Sequence, residues 1–216
     1  MNNSAGNDYL KAMGVQQWIA RDAVAADDSL DWQQLEEQVS GCSLCGLQES
    51  RIQTVFGAGN RDADWMVVGE APGAEEDRQG EPFVGPAGQL LTAMLNAVGL
   101  QRDDVYICNI LKCRPPENRN PAREEIGHCH AWLQRQIELV APRLILAVGG
   151  VAANSLLEMN EKVGRLRGKV HSFGEQQIPL VVTYHPAYLL RSPLEKRKVW
   201  EDLLFARAAC ANGHSG

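Results

Sequence analysis

The sequence predicts a doubly wound α/β domain, and three observations carry that prediction. Four short apolar runs, at residues 65–68, 105–110, 144–148 and 180–184, have the length and the β-branched content of strands buried on both faces. Segments with apolar residues at every third or fourth position separate them. The first run opens into a Gly/Pro-rich stretch, Gly69 to Gly88, before helical spacing resumes. Strands alternating with helices build a mostly parallel sheet. Ligands of such sheets bind outside the carboxyl ends of the strands, where that loop would lie.

Residues 1–7 read as disordered, 9–19 as an isolated apolar patch, and 20–29 as an acidic, Ala-rich linker. A short helix is expected over 31–39. The expected division is therefore a tail and acidic linker at 1–40, a catalytic-type domain at 41–210 and a disordered end at 211–216. Helices are expected at 87–98, 122–140, 151–157 and 195–209. The second of these has Asn120 available as a cap and Pro121 at its first position, and Ile126, Cys129, Leu133, Ile137 and Val140 form its apolar face. Pro142 ends it.

With 216 residues and no apolar run long enough for a membrane span, the chain is expected to be soluble, without a membrane partner. It lacks a charged-then-apolar leader and is expected to be cytoplasmic. The net charge of −6 does not mark a nucleic-acid binder, but its distribution is uneven. Residues 1–40 hold most of the excess acid, while basic residues gather at Lys112, Arg114, Arg119 and Arg123, and again at Arg191, Lys196, Arg197 and Lys198. Such local stripes can contact phosphates whatever the total charge.

Six cysteines in this class of chain point to a metal or to buried thiols rather than to disulfides. Cys42-x-x-Cys45 has the spacing of two ligands of one centre. Cys113 follows the second strand, and Cys129 lies on the next helix. Four thiolates suit an iron–sulfur cluster or a structural zinc, and spacing does not choose between them. Cys108 and Cys210 read as inert buried thiols, and His128 and His130 as solvated.

At the carboxyl ends of three strands the sequence places Glu70, Asn109 and His185, with Phe83 on the first loop. A carboxylate, an amide, an imidazole and an aromatic face would thus meet at one mouth. The motifs Gly69-Glu70-Ala71-Pro72-Gly73, Gly80-Glu81-Pro82-Phe83-Val84-Gly85, Lys112-Cys113-Arg114-Pro115-Pro116-Glu117-Asn118-Arg119 and His185-Pro186-Ala187-Tyr188-Leu189-Leu190-Arg191 resemble those of the family 4 uracil-DNA glycosylases, in the family's order. The resemblance runs from about Cys42 to the last helix. It implies a three-layer α/β/α sandwich on a four-stranded parallel sheet. It also implies a 4Fe-4S cluster on Cys42, Cys45, Cys113 and Cys129, and monofunctional hydrolysis of uracil from DNA in base excision repair by a nucleoid-associated monomer.

The residue chemistry agrees with that implication. Excising a base requires taking it out of the stack into a pocket. Phe83 can stack on a flipped pyrimidine beside Ala71 and Pro72. The Asn109 amide can accept from uracil N3–H and donate to O4, a pattern that cytosine reverses. His185 can donate to O2, where negative charge grows as the glycosidic bond breaks. Glu70 or Glu76 can stabilise the cationic sugar or orient water. Lys112, Arg114, Arg119 and Arg191 are expected on phosphates, and Leu189 and Leu190 as an apolar wedge between bases. Two departures separate the chain from family 1 of the same superfamily: Ala71 stands where that family has a water-activating aspartate, and Gly73 where it has a tyrosine that excludes the thymine methyl.

Two other readings compete. A nucleotide-binding α/β protein would use Gly57-Ala58-Gly59 or Gly149-Gly150, but neither completes a phosphate-binding glycine motif. A non-catalytic iron–sulfur protein that binds DNA or the replisome would not need Glu70, Phe83, Asn109 and His185 together. The segment Met13-Gly14-Val15-x-x-Trp18 is similar to the chi-binding N-terminus of the psi subunit of bacterial replicative polymerase. That similarity implies docking of chi through residues 9–19, which calorimetric titration of a 1–25 peptide against chi would test.

Overall fold

The computed structural model describes residues 30–212. The apolar patch at 9–19 and the linker at 20–29 lie outside the described residues, as do residues 213–216. Six strands run in the order β1-β3-β2-β4-β6-β5. They are β1 (Ala58–Gly59), β2 (Trp65–Gly69), β3 (Val105–Asn109), β4 (Leu144–Val148), β5 (Val170–Phe173) and β6 (Ile178–Thr183). The four predicted strands, β3, β2, β4 and β6, pair parallel in the middle. The expected sheet of four strands is too small, because β1 and β5 pair antiparallel at the two edges. Both carry weak strand signals in the sequence: β1 is two residues long, and β5 is half exposed.

Period-two burial divides the sheet between two helical layers. Met66, Val68, Tyr106, Cys108, Ile145 and Ala147 share one core with Leu133, Ile137 and Leu156. Trp65, Val67, Val105, Ile107, Leu144 and Leu146 share the other with Leu91, Leu95, Val199 and Leu203. The helices are α1 (Trp32–Ser40), α2 (Ala74–Gln79), α3 (Pro86–Ala97), α4 (Arg123–Val140), α5 (Gly150–Leu157), α6 (Val163–Leu166), α7 (Pro186–Arg191) and α8 (Lys196–Asn212). The short α2, α6 and α7 are absent from the sequence prediction, since six residues or fewer show no apolar period.

One helix boundary differs from expectation. Helix α4 starts at Arg123, and Asn120 does not cap it; instead the Glu125 carboxylate accepts from the Ala122 N–H at 2.7 Å. The segment from Leu30 to Ser40 also packs against the sheet-bearing domain. Asp31 and Gln34 form a reciprocal capping box that starts α1. Leu30, Leu35 and Val39 then pack with Trp132 and Cys129 of α4. Arg135 donates to the Leu30 carbonyl at 2.6 and 2.9 Å, and Trp32 meets Phe56 and Tyr106 edge-on or tilted.

β2 lies between β3 and β4, so the connections leaving β2 and β4 diverge to opposite faces of the sheet. This is the switch point at which open parallel sheets bind ligands. The carboxyl ends of β2, β3 and β6 open onto the same cavity there.

Candidate active site

Glu70, Phe83, Asn109 and His185 come together around a cavity of about 480 Å³. Asn109 closes strand β3 and is 2 % exposed. Its Oδ1 is buried without a hydrogen-bond partner among the described residues. A buried polar atom of this kind costs stability unless something completes it, so it marks where a ligand's donor belongs. The close approach depends on Gly69, where an added Cβ would stand 2.4 Å from Asn109 Oδ1 and 2.5 Å from Phe83 Cζ.

Phe83 is buried and takes a left-handed φ of 54°. That conformation is unfavourable for an aromatic residue and persists only when its surroundings impose it. Arg102 does so, donating to the Phe83 carbonyl at 3.2 Å, to the Pro82 carbonyl, and to Glu81 at 3.3 Å. The Phe83 ring lies 5.7 Å from the His185 ring at 32°, so the two present a continuous face. Sequence reasoning missed Arg102, and the only available signal was a cation at the start of β3.

His185 precedes α7, whose first residue is Pro186. Its Nδ1 accepts the Ala187 N–H at 3.1 Å, which leaves the ring proton on Nε2. Burial, with help from Arg191, pulls its pKa down to about 4 against a weak opposing pull from Glu76. The ring is therefore a neutral donor.

The two carboxylates differ. Glu76 accepts from the N–H groups of Gly73 at 3.1 Å and of Val84 and Gly85 at 3.0 Å. It ties the loop around Phe83 to the start of α2, and its acceptor capacity goes largely to that task. Glu70 has no such partners among the described residues; burial pushes its carboxyl above its ordinary value. A Cβ on Gly73 would stand 2.6 Å from Glu76 Oε2, so the tyrosine of family 1 has no room unless Glu76 moves.

Ala71 and Pro72 line the cavity, and so do Arg119 and Arg191. Arg119 already pairs with Glu125 at 2.5 Å, and Arg114 donates to Asn118 at 2.8 Å. Asn118, Asn120 and Tyr188 also line the cavity; the sequence offered no chemical signal that singled them out.

Two residues expected to contact DNA are buried. Lys112 is 1 % exposed and points into the protein, donating to Asn109 O at 2.9 Å and Gln136 Oε1 at 2.5 Å. Burial pushes its pKa down, against the thiols of Cys108, Cys129 and Cys113. Leu189 is fully buried in the core beside α3 and α8, because α7 turns it inward. Leu190, 48 % exposed, is the one of the pair that faces out.

Cys42, Cys45, Cys113 and Cys129 share one apolar cluster with Leu35, Val39 and Trp132. Beyond the effect of burial, Cys42 pushes up the thiol of Cys45, Cys45 and Cys42 that of Cys113, and Cys113 and Cys45 that of Cys129. Arg51 donates to Cys113 Sγ at 2.9 Å and to the Cys42 carbonyl at 2.9 Å. Among the described residues no group of three or more His, Cys, Asp or Glu could hold a metal ion. Cys108 and Cys210 are buried away from this set, as expected of inert thiols.

Residues 56–204 match the model of the family described as Uracil DNA glycosylase superfamily. A Type-4 uracil-DNA glycosylase of Pyrobaculum aerophilum is 44 % identical over 180 residues, covering 81 % of this chain and 92 % of that protein. Type-4 enzymes of Archaeoglobus fulgidus and Thermotoga maritima are 41 % and 42 % identical, each over 81 % of this chain and at least 90 % of their own. The family match spans the strand ends that carry Glu70, Asn109 and His185 as well as Cys113 and Cys129, and with relatives of that identity and coverage this chain belongs to the uracil DNA glycosylase superfamily.

Proposed function

We propose that the chain hydrolyses the N-glycosidic bond of deoxyuridine in DNA, releasing uracil and leaving an abasic site. The observation that carries this reading is the buried, partnerless Asn109 Oδ1 facing a cavity that Phe83 and a neutral His185 also line. Uracil N3–H completes Oδ1, and the amide nitrogen donates to O4. Cytosine brings a lone pair to the first position and a donor to the second, which leaves both ends of Asn109 mispaired. Phe83 stacks on the base. His185 Nε2–H donates to O2, where charge accumulates as the base departs with the bonding pair. Water adds to C1′ of the sugar, and its proton neutralises the uracil anion. Glu70 is the carboxylate placed to face the cationic sugar and that water, since Glu76 is committed to backbone N–H groups. Arg191 contacts phosphate, and Leu190 wedges into the opened step.

Among the described residues no lysine lines the cavity, which supports hydrolysis without a Schiff base or strand scission. The test is a uracil-containing oligonucleotide incubated with the enzyme. Strand breaks should appear only after alkali; breaks without alkali, or none with it, would refute the proposal.

His185→Ala is expected to slow the chemical step by about 2.7–4 kcal/mol, the effect of removing one donor from a developing anion. The pH dependence follows from its folded value of about 4 against an ordinary 6.5. Between those values the unfolded chain binds the proton and the folded one does not. The stability associated with the neutral ring is thus present above about pH 6.5 and lost as pH falls through about 4. The single-turnover rate should show no histidine inflection near pH 6.5. An inflection there that vanishes in His185→Ala would overturn the neutral-donor role.

The four clustered thiols fit a 4Fe-4S cluster held by Cys42, Cys45, Cys113 and Cys129. A cluster is several atoms wide, so its thiolates stand apart where a single ion would draw them together. Their shared burial and the Arg51 N–H on Cys113 Sγ support this assignment. Bound there, the cluster would join α1, the 113–119 segment and α4 into one unit next to the pocket.

A further inference from the structure

We infer that Lys112 and Gln136 are positioning residues for Asn109. The inference rests on the reading of Asn109 as the group that recognises the base. Among the described residues the Asn109 Oδ1 has no hydrogen-bond partner, so none of them fixes the amide through that oxygen. Its orientation is inherited from the backbone at the end of β3. That backbone is held from beneath the pocket by Lys112, whose side chain reaches back three residues to donate to Asn109 O at 2.9 Å. The same Nζ donates to Gln136 Oε1 at 2.5 Å. Gln136, 0 % exposed on α4, donates in turn to Phe56 O at 2.9 Å and to the Tyr106 hydroxyl at 3.0 Å.

Core packing does not account for these two residues. A long amine and an amide taken wholly out of water cost more than apolar side chains of the same volume would, unless every polar atom is satisfied. Here the Lys112 contact holds the point at which the strand leaves the sheet, and Gln136 anchors that lysine to α4. The following residues are locked as well: Ile110 N–H and Leu111 N–H donate to Gly69 O and Glu70 O, and Val55 N–H donates to Lys112 O. The Lys112–Gln136 pair is thus the link between the base-reading strand end and α4. A protonated amine has three N–H groups and a neutral one two, so both contacts survive either state.

The test separates Gln136→Leu, Gln136→Glu and Tyr106→Phe. Gln136→Leu removes the acceptor that holds Lys112. Gln136→Glu keeps that acceptor but loses the donors to Phe56 and Tyr106. Tyr106→Phe removes one contact of Gln136 and leaves the Lys112 hold intact. Single-turnover rate, affinity for a uracil-free duplex, melting temperature and iron content would be measured for each. Gln136→Leu should lose about ten- to a hundredfold in rate, the consequence of a reading group displaced by less than about 1 Å, with duplex affinity and iron content unchanged. Gln136→Glu should recover most of the rate despite its lost donors, and Tyr106→Phe should melt lower with its rate intact. A Gln136→Leu enzyme that keeps the wild-type rate overturns the inference. So does a rate that follows melting temperature or iron content through all three variants. If Gln136→Leu does not fold, Gln136→Glu and Tyr106→Phe decide: rates that fall together with stability overturn it, and rates near wild type in both support it. A wild-type enzyme inactive on uracil would instead refute the reading on which the inference rests.

Discussion

Asn109→Asp is expected to cut the single-turnover rate on uracil by at least about 10²–10³-fold, the effect of losing one donor to a charge-accumulating base. The substitution is nearly isosteric, so the cavity keeps its shape. Two electrostatic changes follow. The donor to O4 becomes an acceptor, and a carboxylate faces a base that departs as an anion. The buried setting magnifies both, since Asn109 is 2 % exposed. Discrimination between uracil and cytosine should narrow at the same time, because the loss falls mainly on uracil. Duplex affinity should change little, as phosphate contacts lie elsewhere. A near-wild-type rate with discrimination intact would remove Asn109 from base recognition.

Cys113→Ser should be the most disruptive substitution for stability. Cys113 is 3 % exposed, sits among Leu111, Cys129 and Trp132, and accepts from Arg51. With the cluster in place, the change removes one of four ligands and leaves Arg51 without its sulfur. Loss of a structural metal centre belongs to the rare class of changes above about 4 kcal/mol, and metal binding of this kind is coupled to folding. The purified wild type should be brown and contain iron. Cys113→Ser should be colourless, melt lower and bind DNA less tightly, because Arg114 follows it directly and Arg119 lies on the same short segment. Colourless wild-type protein containing one zinc would refute the cluster, and an unchanged melting temperature in the variant would refute its structural role.

The four central strands, the long helices and the residues that meet at the pocket were legible in the sequence for a simple reason. Buried parallel strands are continuous apolar runs, and the functional groups follow them at the carboxyl ends, so Glu70, Asn109 and His185 could be placed by position alone. The edge strands were not legible, since a two-residue strand and a half-exposed one carry almost no apolar pattern. What only the tertiary structure decided is which way individual side chains point and what already occupies them. Two carboxylates of one Gly/Pro-rich loop look equivalent in sequence; in the fold three N–H groups converge on Glu76 and, among the described residues, none on Glu70. Leu189 and Leu190 are neighbours of like chemistry, but a helix turns the first into the core and the second to solvent. A lysine between Asn109 and a run of basic residues reads as a phosphate contact. Its burial against Asn109 O and Gln136 depends on a helix that begins only at Arg123, and nothing local in the sequence encodes that meeting.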